Sequence, residues 1–224
     1  MTGGRDLAAC LRLMIITHPR PACGRSLIDV AGECLEAGAT AIQLRDKQAS
    51  DAEVLAIAAE LRDLSARHDA LFIVNDRFDL ALAAGADGVH LGPGDLPVVA
   101  VRPLVPDSFI IGYSTDTAEG GRVAEGAGAS YLGVGALYGT SSKAGLERER
   151  IGIKRLHEVI DSVSIATVGI GGITADNAAA VYSAGAGLAV LSAIMDAPEP
   201  GKAVRAILKA RFVDPGAEAR PKPL

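Results

Sequence analysis

Hydrophobic and polar positions along this chain fall into short apolar runs separated by longer amphipathic stretches. One phrase recurs: EAGATAIQL (36–44), AAGADGVHL (83–91), GAGASYLGV (126–134) and SAGAGLAVL (183–191). Each copy closes an Ala-rich helical stretch and places a Gly where a left-handed helix terminus is wanted (Gly38, Gly85, Gly128, Gly185). It then enters a short apolar strand. The gaps between copies hold LFIVN (71–75), FIIGY (109–113) and SIATVGI (164–170), and LMIITH (13–18) precedes the first, which makes eight β-runs. The stretch SDAEVLAIAAELRDLSAR (50–67) predicts a helix, with Ser50 or Asp51 as N-cap, Glu53 in the first turn and apolar residues at helical spacing.

Strands that are apolar on both faces and alternate with helices imply a parallel sheet with right-handed crossovers. Eight such units predict an α/β fold, a single (βα)8 TIM barrel spanning 1–224, with residues 1–8 and 213–224 as tails. A doubly wound open sheet is the alternative. No linker divides the chain.

In a barrel of this kind the active site lies at the carboxyl ends of the strands, so the strand ends carry the chemistry. The second run ends Gln43-Leu44-Arg45-Asp46-Lys47, and period-two alternation puts Gln43, Arg45 and Lys47 on one face. The third ends Asn75-Asp76, the fourth runs through His90 into Gly92-Pro93-Gly94-Asp95, and the fifth ends Tyr113-Ser114. Asp76 and Asp95 leave adjacent strands and suit a hard cation such as Mg2+, which takes one or two protein carboxylates and fills its shell with water and phosphate oxygens. Arg45, Lys47 and Lys143 would meet further phosphate charge. Gly171-Gly172 followed by Thr174 at a helix start, and Ser192 opening a short helix, read as two backbone-amide phosphate cradles after strands seven and eight.

Taken singly, each signal has a plainer meaning. Asp76 reads equally as the N-cap of FDLALAA, the glycine pair as an ordinary turn, and His90 as a hydrogen-bonded structural histidine. The long Gly/Ser-rich connection 136–150 suits a lid, and ERER (147–150) is a solvated charged loop.

Composition narrows the partners. A net charge of −5 and the absence of Trp argue against a nucleic-acid surface. The apolar run LMIIT (13–17) is too short for a membrane span or a secretory signal. Cys10, Cys23 and Cys34 have neither CxxC spacing nor a paired His, which predicts thiols in a reducing cytoplasm. Phosphorylated small molecules are therefore the expected partners, with no nucleic acid and no membrane. Apolar surface on such barrels often supports a homodimer.

The motifs QLRDK, IVNDR, HLGPGD, IGYST, YGTSSK, VGIGGIT and VLSAI, in this order, resemble the thiamine-phosphate synthase family over about residues 12–212. The resemblance implies a transferase of thiamine biosynthesis that joins a pyrimidine pyrophosphate to a thiazole phosphate. It places Gln43, Arg45, Lys47, Asn75, Ser114 and Lys143 on the pyrophosphate substrate, with Arg45, Lys47, Ser114 and Lys143 catalytic. Asp76 and Asp95 would hold Mg2+. Thr140, Ser142, Gly172, Leu191 and Ser192 would hold the thiazole phosphate, and Leu44, Asp46 and Ser141 count with the substrate-binding set. Four features depart from the family's pattern: Asp116 where His is frequent, Pro93-Gly94 for Gln-Glu, Ala136 for Pro, and Ser142 for Thr. The KAGLERERIG continuation is similar to a sister family of thiazole tautomerases, which need no metal. A non-catalytic phosphate-binding barrel, or another phosphate-handling barrel of amino-acid biosynthesis, is a further alternative.

Overall fold

The computed structural model of the protein describes residues 6–21, 24–139 and 150–212. Eight parallel strands run in sequence order: β1 (Leu13–Ile16), β2 (Ala41–Leu44), β3 (Leu71–Asn75), β4 (Gly88–Leu91), β5 (Ile110–Ser114), β6 (Tyr131–Val134), β7 (Ala166–Ile170) and β8 (Gly187–Val190). Pairing of β1 with β8, Met14 opposite Ala189, closes the sheet into a barrel and excludes the open alternative.

Helices α1 (Leu7–Cys10), α2 (Leu27–Glu36), α3 (Asp51–Arg67), α4 (Phe78–Ala83), α5 (Val98–Val101), α6 (Ala118–Gly126), α7 (Gly152–Ile160), α8 (Ala178–Ser183), α9 (Ser192–Met195) and α10 (Pro200–Lys209) intervene. Helix α3 starts with a full capping box: Ser50 accepts from the Glu53 N–H, and the Glu53 carboxylate accepts from the Ser50 N–H at 2.8 Å. That resolves the choice of N-cap in favour of Ser50. None of the described helices is long and apolar enough to cross a membrane. Residues 7 and 8, expected in the N-terminal tail, belong instead to α1. Asp6 caps it, and Leu7 and Cys10 pack against the apolar floor inside the barrel.

The four repeated glycines all take positive φ (107°, 65°, 98° and 88°), as a left-handed helix terminus requires. In three copies of the phrase the polar residue after the second Ala then accepts a hydrogen bond from the preceding odd-numbered strand. Leu13 N–H donates to Thr40 Oγ1 (3.0 Å), Phe72 N–H to Asp87 Oδ2 (2.8 Å) and Ile111 N–H to Ser130 Oγ (3.1 Å). The repeat is thus a helix stop joined to a strand lock. The fourth copy lacks the polar residue and enters its strand directly at Gly187.

Strand side chains alternate between two cores. Ile15, Ile42, Phe72 and Leu132 face outward to the helices, while Met14, Leu71, Ile73 and Val168 fill the barrel. The outer ring is tied late in the chain by Glu33 on α2, which accepts from Gly201 N–H (2.8 Å) in the first turn of α10 and pairs with Arg25. Arg25 and the Gly201 N–H hold the Glu33 carboxyl below its usual range. Because its native pKa is depressed, its stabilisation is present above the unfolded pKa and is lost as pH falls through the native one. Glu33→Gln should therefore lower stability at neutral pH by about 0.5–1 kcal/mol, kept small by solvent screening. The difference should shrink as pH falls below the ordinary carboxylate range and vanish once the native carboxyl is protonated. Urea melts at neutral and acid pH check this, and an equal loss at both would rule it out.

Candidate active site

Above the apolar plug, the inward positions turn polar. A cavity of about 470 Å3 opens at the carboxyl ends of the strands, within the usual size range for small-ligand sites. Gln43, Arg45, Lys47, Asn75, Asp76, Asp95, Ser114, Gly172, Leu191 and Ser192 all line it. The alternation expected for QLRDK holds, with Gln43, Arg45 and Lys47 on the cavity side. Gln43 is almost fully buried, and the Arg45 N–H is fastened to Thr17 Oγ1 at 2.9 Å. Leu44 and Asp46, counted with the substrate-binding residues, do not line the cavity. Alternation turns Leu44 into the helix-facing core, and the Asp46 carboxylate accepts from the Gln48 and Ala49 N–H groups (2.9 and 3.1 Å) to shape the turn before α3. Thr140, Ser141, Ser142 and Lys143, with most of the 136–150 connection, lie outside the described residues.

The end of β3 shows why a buried strand finishes on Asn-Asp-Arg. Asp76 does not cap α4. Arg77 occupies the N-cap position with no side-chain cap bond, and its guanidinium turns away to Asp51 (2.9 and 3.0 Å) and Asp79 (2.9 and 2.7 Å). Asp76 itself has φ 64°, a left-handed conformation uncommon for a residue with a side chain, and its N–H donates to His90 O at 2.8 Å. This backbone turn brings its carboxylate against that of Asp95, which is held by the Gly92 N–H at 2.6 Å. Burial, then hydrogen bonding and repulsion from Asp95, raise the Asp76 pKa; Lys47, at 3.4 Å, opposes the rise. Two crowded carboxylates with one exposed ammonium beside them fit a divalent cation. No cluster of three or more acidic, His or Cys ligands occurs among the described residues, so a cation here would draw its remaining ligands from water or substrate oxygens.

Across the cavity, Gly171 and Gly172 have φ 95° and 67°, and a Cβ on Gly172 would fall 2.5 Å from Gly139 O, so the turn is open only to glycine. The helix expected near Thr174 begins later, at Ala178. The Thr174 N–H is taken by Asn177 Oδ1 (2.9 Å), while Asn177 Nδ2 donates to Gly172 O (2.9 Å). Asn177 therefore clamps the glycine turn, and the Thr174 N–H is not available to an anion. Among the departures from the family's pattern, Ala136 is buried in the cavity wall and Asp116 is exposed outside it.

His90 is hydrogen-bonded, as expected, but by groups of the site itself. Its Nε2 lies 2.8 Å from Ser114 Oγ and its Nδ1 lies 2.9 Å from Tyr131 Oη. Tyr131, Met14, Ile16 and Ile170 also line the cavity and were not anticipated. A signal for Tyr131 exists in the repeat: the first strand position of the phrase is Ala41, Gly88 and then Tyr131. A large residue in a slot otherwise kept small marks a place where the barrel interior differs.

Comparison with known proteins agrees with this geometry. The profile of a family described as "Thiamine monophosphate synthase" matches residues 13–194. A thiamine-phosphate synthase of Methanospirillum hungatei is 48% identical over 194 residues, covering 86% of this chain and 94% of the relative. Another from Natronomonas pharaonis is 45% identical, covering 88% of this chain and 92% of the relative. The solved thiamine phosphate pyrophosphorylase of Pyrococcus furiosus superposes with a TM-score of 0.83 at 41% identity, covering 92% of this chain and 97% of that one.

Proposed function

The chain belongs to the thiamine monophosphate synthase family of transferases, and we propose that its rim cavity joins 4-amino-2-methyl-5-hydroxymethylpyrimidine pyrophosphate to 4-methyl-5-(2-phosphooxyethyl)thiazole. The products are thiamine phosphate and pyrophosphate. The observation that carries this reading is the grouping of Arg45 and Lys47 with the carboxylate pair Asp76–Asp95 around one cavity. An acceptor for a simple phosphate needs no such carboxylate pair, whereas a pyrophosphate presented with a divalent cation does.

The reaction is a dissociative substitution. The bond from the pyrimidine methylene carbon to the bridging oxygen breaks, and its electron pair leaves with pyrophosphate. The thiazole nitrogen then donates its lone pair to the same carbon. Asp76 and Asp95 would hold Mg2+, which when bound supplies positive charge to the leaving pyrophosphate. Arg45, Lys47 and Lys143 add fixed cationic charge there, and Asn75 and Ser114 orient it by hydrogen bonds. Gln43, almost fully buried in the cavity lining, would face the pyrimidine. Gly172, Leu191 and Ser192, on the opposite wall, would hold the thiazole phosphate, a role that Thr140 and Ser142 would share. The two substrates thus meet with the nucleophile positioned, and the apolar floor limits capture of the cation by water.

The enzyme would work in the cytoplasm, where charged phosphorylated substrates are retained, without nucleic acid or membrane. Exposed Leu96, Val99 and Leu104 would support a homodimer. Purified protein given both substrates should release thiamine phosphate and pyrophosphate with Mg2+ and cease on chelation. A folded protein that makes no product would overturn the assignment.

A further inference from the structure

Three side chains from three strands form a path inside the barrel: Tyr131 (β6), His90 (β4) and Ser114 (β5). Glycine makes the path possible. His90 and Tyr131 are both in register with Gly112 of the strand between them, where a Cβ would fall 2.2 Å from Tyr131 Cζ and 2.5 Å from His90 Nδ1. The two rings therefore meet above a strand that has no side chain at that level, with centroids 5.4 Å apart.

The path has a direction. Tyr131 is fully buried, and burial drives its phenol far above the ordinary tyrosine range, so it stays protonated. A buried phenol spends its one proton on the acceptor within reach, so Oη–H donates to His90 Nδ1 at 2.9 Å, while the Gln43 amide is directed to Met14 Sδ at 3.4 Å. A neutral imidazole that accepts at Nδ1 carries its proton on Nε2. Nε2–H then donates to Ser114 Oγ, and the Ser114 proton is turned into the cavity.

We infer that His90 and Tyr131 are positioning residues that hold Ser114 as a hydrogen-bond donor toward an anionic oxygen of the substrate. This rests on the synthase reading only for the identity of that oxygen, which belongs to the leaving pyrophosphate. In the reverse orientation Ser114 would donate to His90 and present only lone pairs to an anion, which would repel it.

Two measurements test this. Nitrogen-15 NMR of imidazole-labelled protein at neutral pH should show His90 as the Nε2–H tautomer; an Nδ1–H tautomer or a doubly protonated ring would overturn the inference. Steady-state kinetics should give about a tenfold loss of kcat/KM for Tyr131→Phe in the native background. In a Ser114→Ala background the same change should cost nothing further, because Tyr131 acts through Ser114. Additive losses would overturn the inference, since a merely structural tyrosine would weaken both backgrounds alike. The Tyr131→Phe protein is used after its cooperative melt is verified, and the tautomer is read on the unaltered protein, so a folding defect cannot mask the answer. If the unaltered protein makes no thiamine phosphate, the synthase reading falls, while the tautomer still decides the direction of the path.

Discussion

Asp76→Asn should cut kcat/KM about 100- to 1,000-fold while making the metal-free protein more stable. The two effects have one origin. Asp76 and Asp95 are held together by the backbone turn at φ 64° and by the Gly92 N–H, and in the absence of a cation they repel. Asn keeps the shape, and after Gly it is, with Asp, among the residues best suited to that left-handed conformation, so the variant isolates charge. The pair lost with Lys47 is 3.4 Å long and its ammonium is mostly solvated, so it contributes little. Relief of the buried charge and of its repulsion by Asp95 should win, by about 1 kcal/mol, or about 2–4 °C in melting temperature for a protein of this size. The sign of the pH dependence follows from the raised native pKa of Asp76. Its ionisation destabilises the fold at neutral pH, and that penalty disappears as pH falls through the raised value and the carboxyl protonates. The advantage of Asn should therefore be greatest at neutral pH in chelator and shrink toward acid. Thermal melts across pH, beside turnover with Mg2+, check both halves. An active variant, or one less stable in chelator at neutral pH, would show that the carboxylate pair is not a cation site.

Gly88→Ala should be among the most damaging single-methyl additions in the barrel. A Cβ at Gly88 would lie 2.1 Å from Ile110 O and 2.6 Å from Ile110 Cβ, on the strand paired with it. The first obstacle is backbone, which no rotamer change can move, so β4 and β5 must separate at this level. Over-packing of this kind costs about 3 kcal/mol or more, which lowers the melting temperature by roughly 6–12 °C. Because β4 carries His90 and leads to Asp95, activity should fall with it. Gly126→Ala is the matched control: it sits at the exposed end of α6 with nothing within 4 Å of its Cβ, and should stabilise by about 0.5–1 kcal/mol. The same methyl group is thus expected to have opposite signs at two glycines. Paired urea melts decide it, and equal midpoints for the two variants would contradict the packing argument.

Much of the site was legible because strand ends obey simple alternation. Gln43, Arg45 and Lys47 were placed on one face by counting in twos, and the same count, applied strictly, also explains why Leu44 and Asp46 point elsewhere. Helix α8 starts at Ala178 rather than Thr174, although the Ala178 N–H donates to Thr174 O at 3.0 Å: residues 174–177 form a leading turn whose first N–H is taken by Asn177 Oδ1. His90 was legible as hydrogen-bonded, but not its partners, since Tyr131 lies two strands away and Ser114 one.

What the sequence alone determined is local in origin. Apolar runs of strand length, capping residues such as Ser50 and Glu53, and glycines at left-handed helix ends specify eight strand–helix units, because φ, ψ and side-chain period are properties of neighbouring residues. What only the tertiary structure decided depends on register between strands far apart in the chain. Closure of β1 on β8, the turn of Asp76 toward Asp95 and the path from Tyr131 through His90 to Ser114 all belong here. The last is possible only because Gly112 and Gly133 carry no side chain where the rings and Ser114 meet, and a spacing along the chain carries no information about which side chains will meet across its interior.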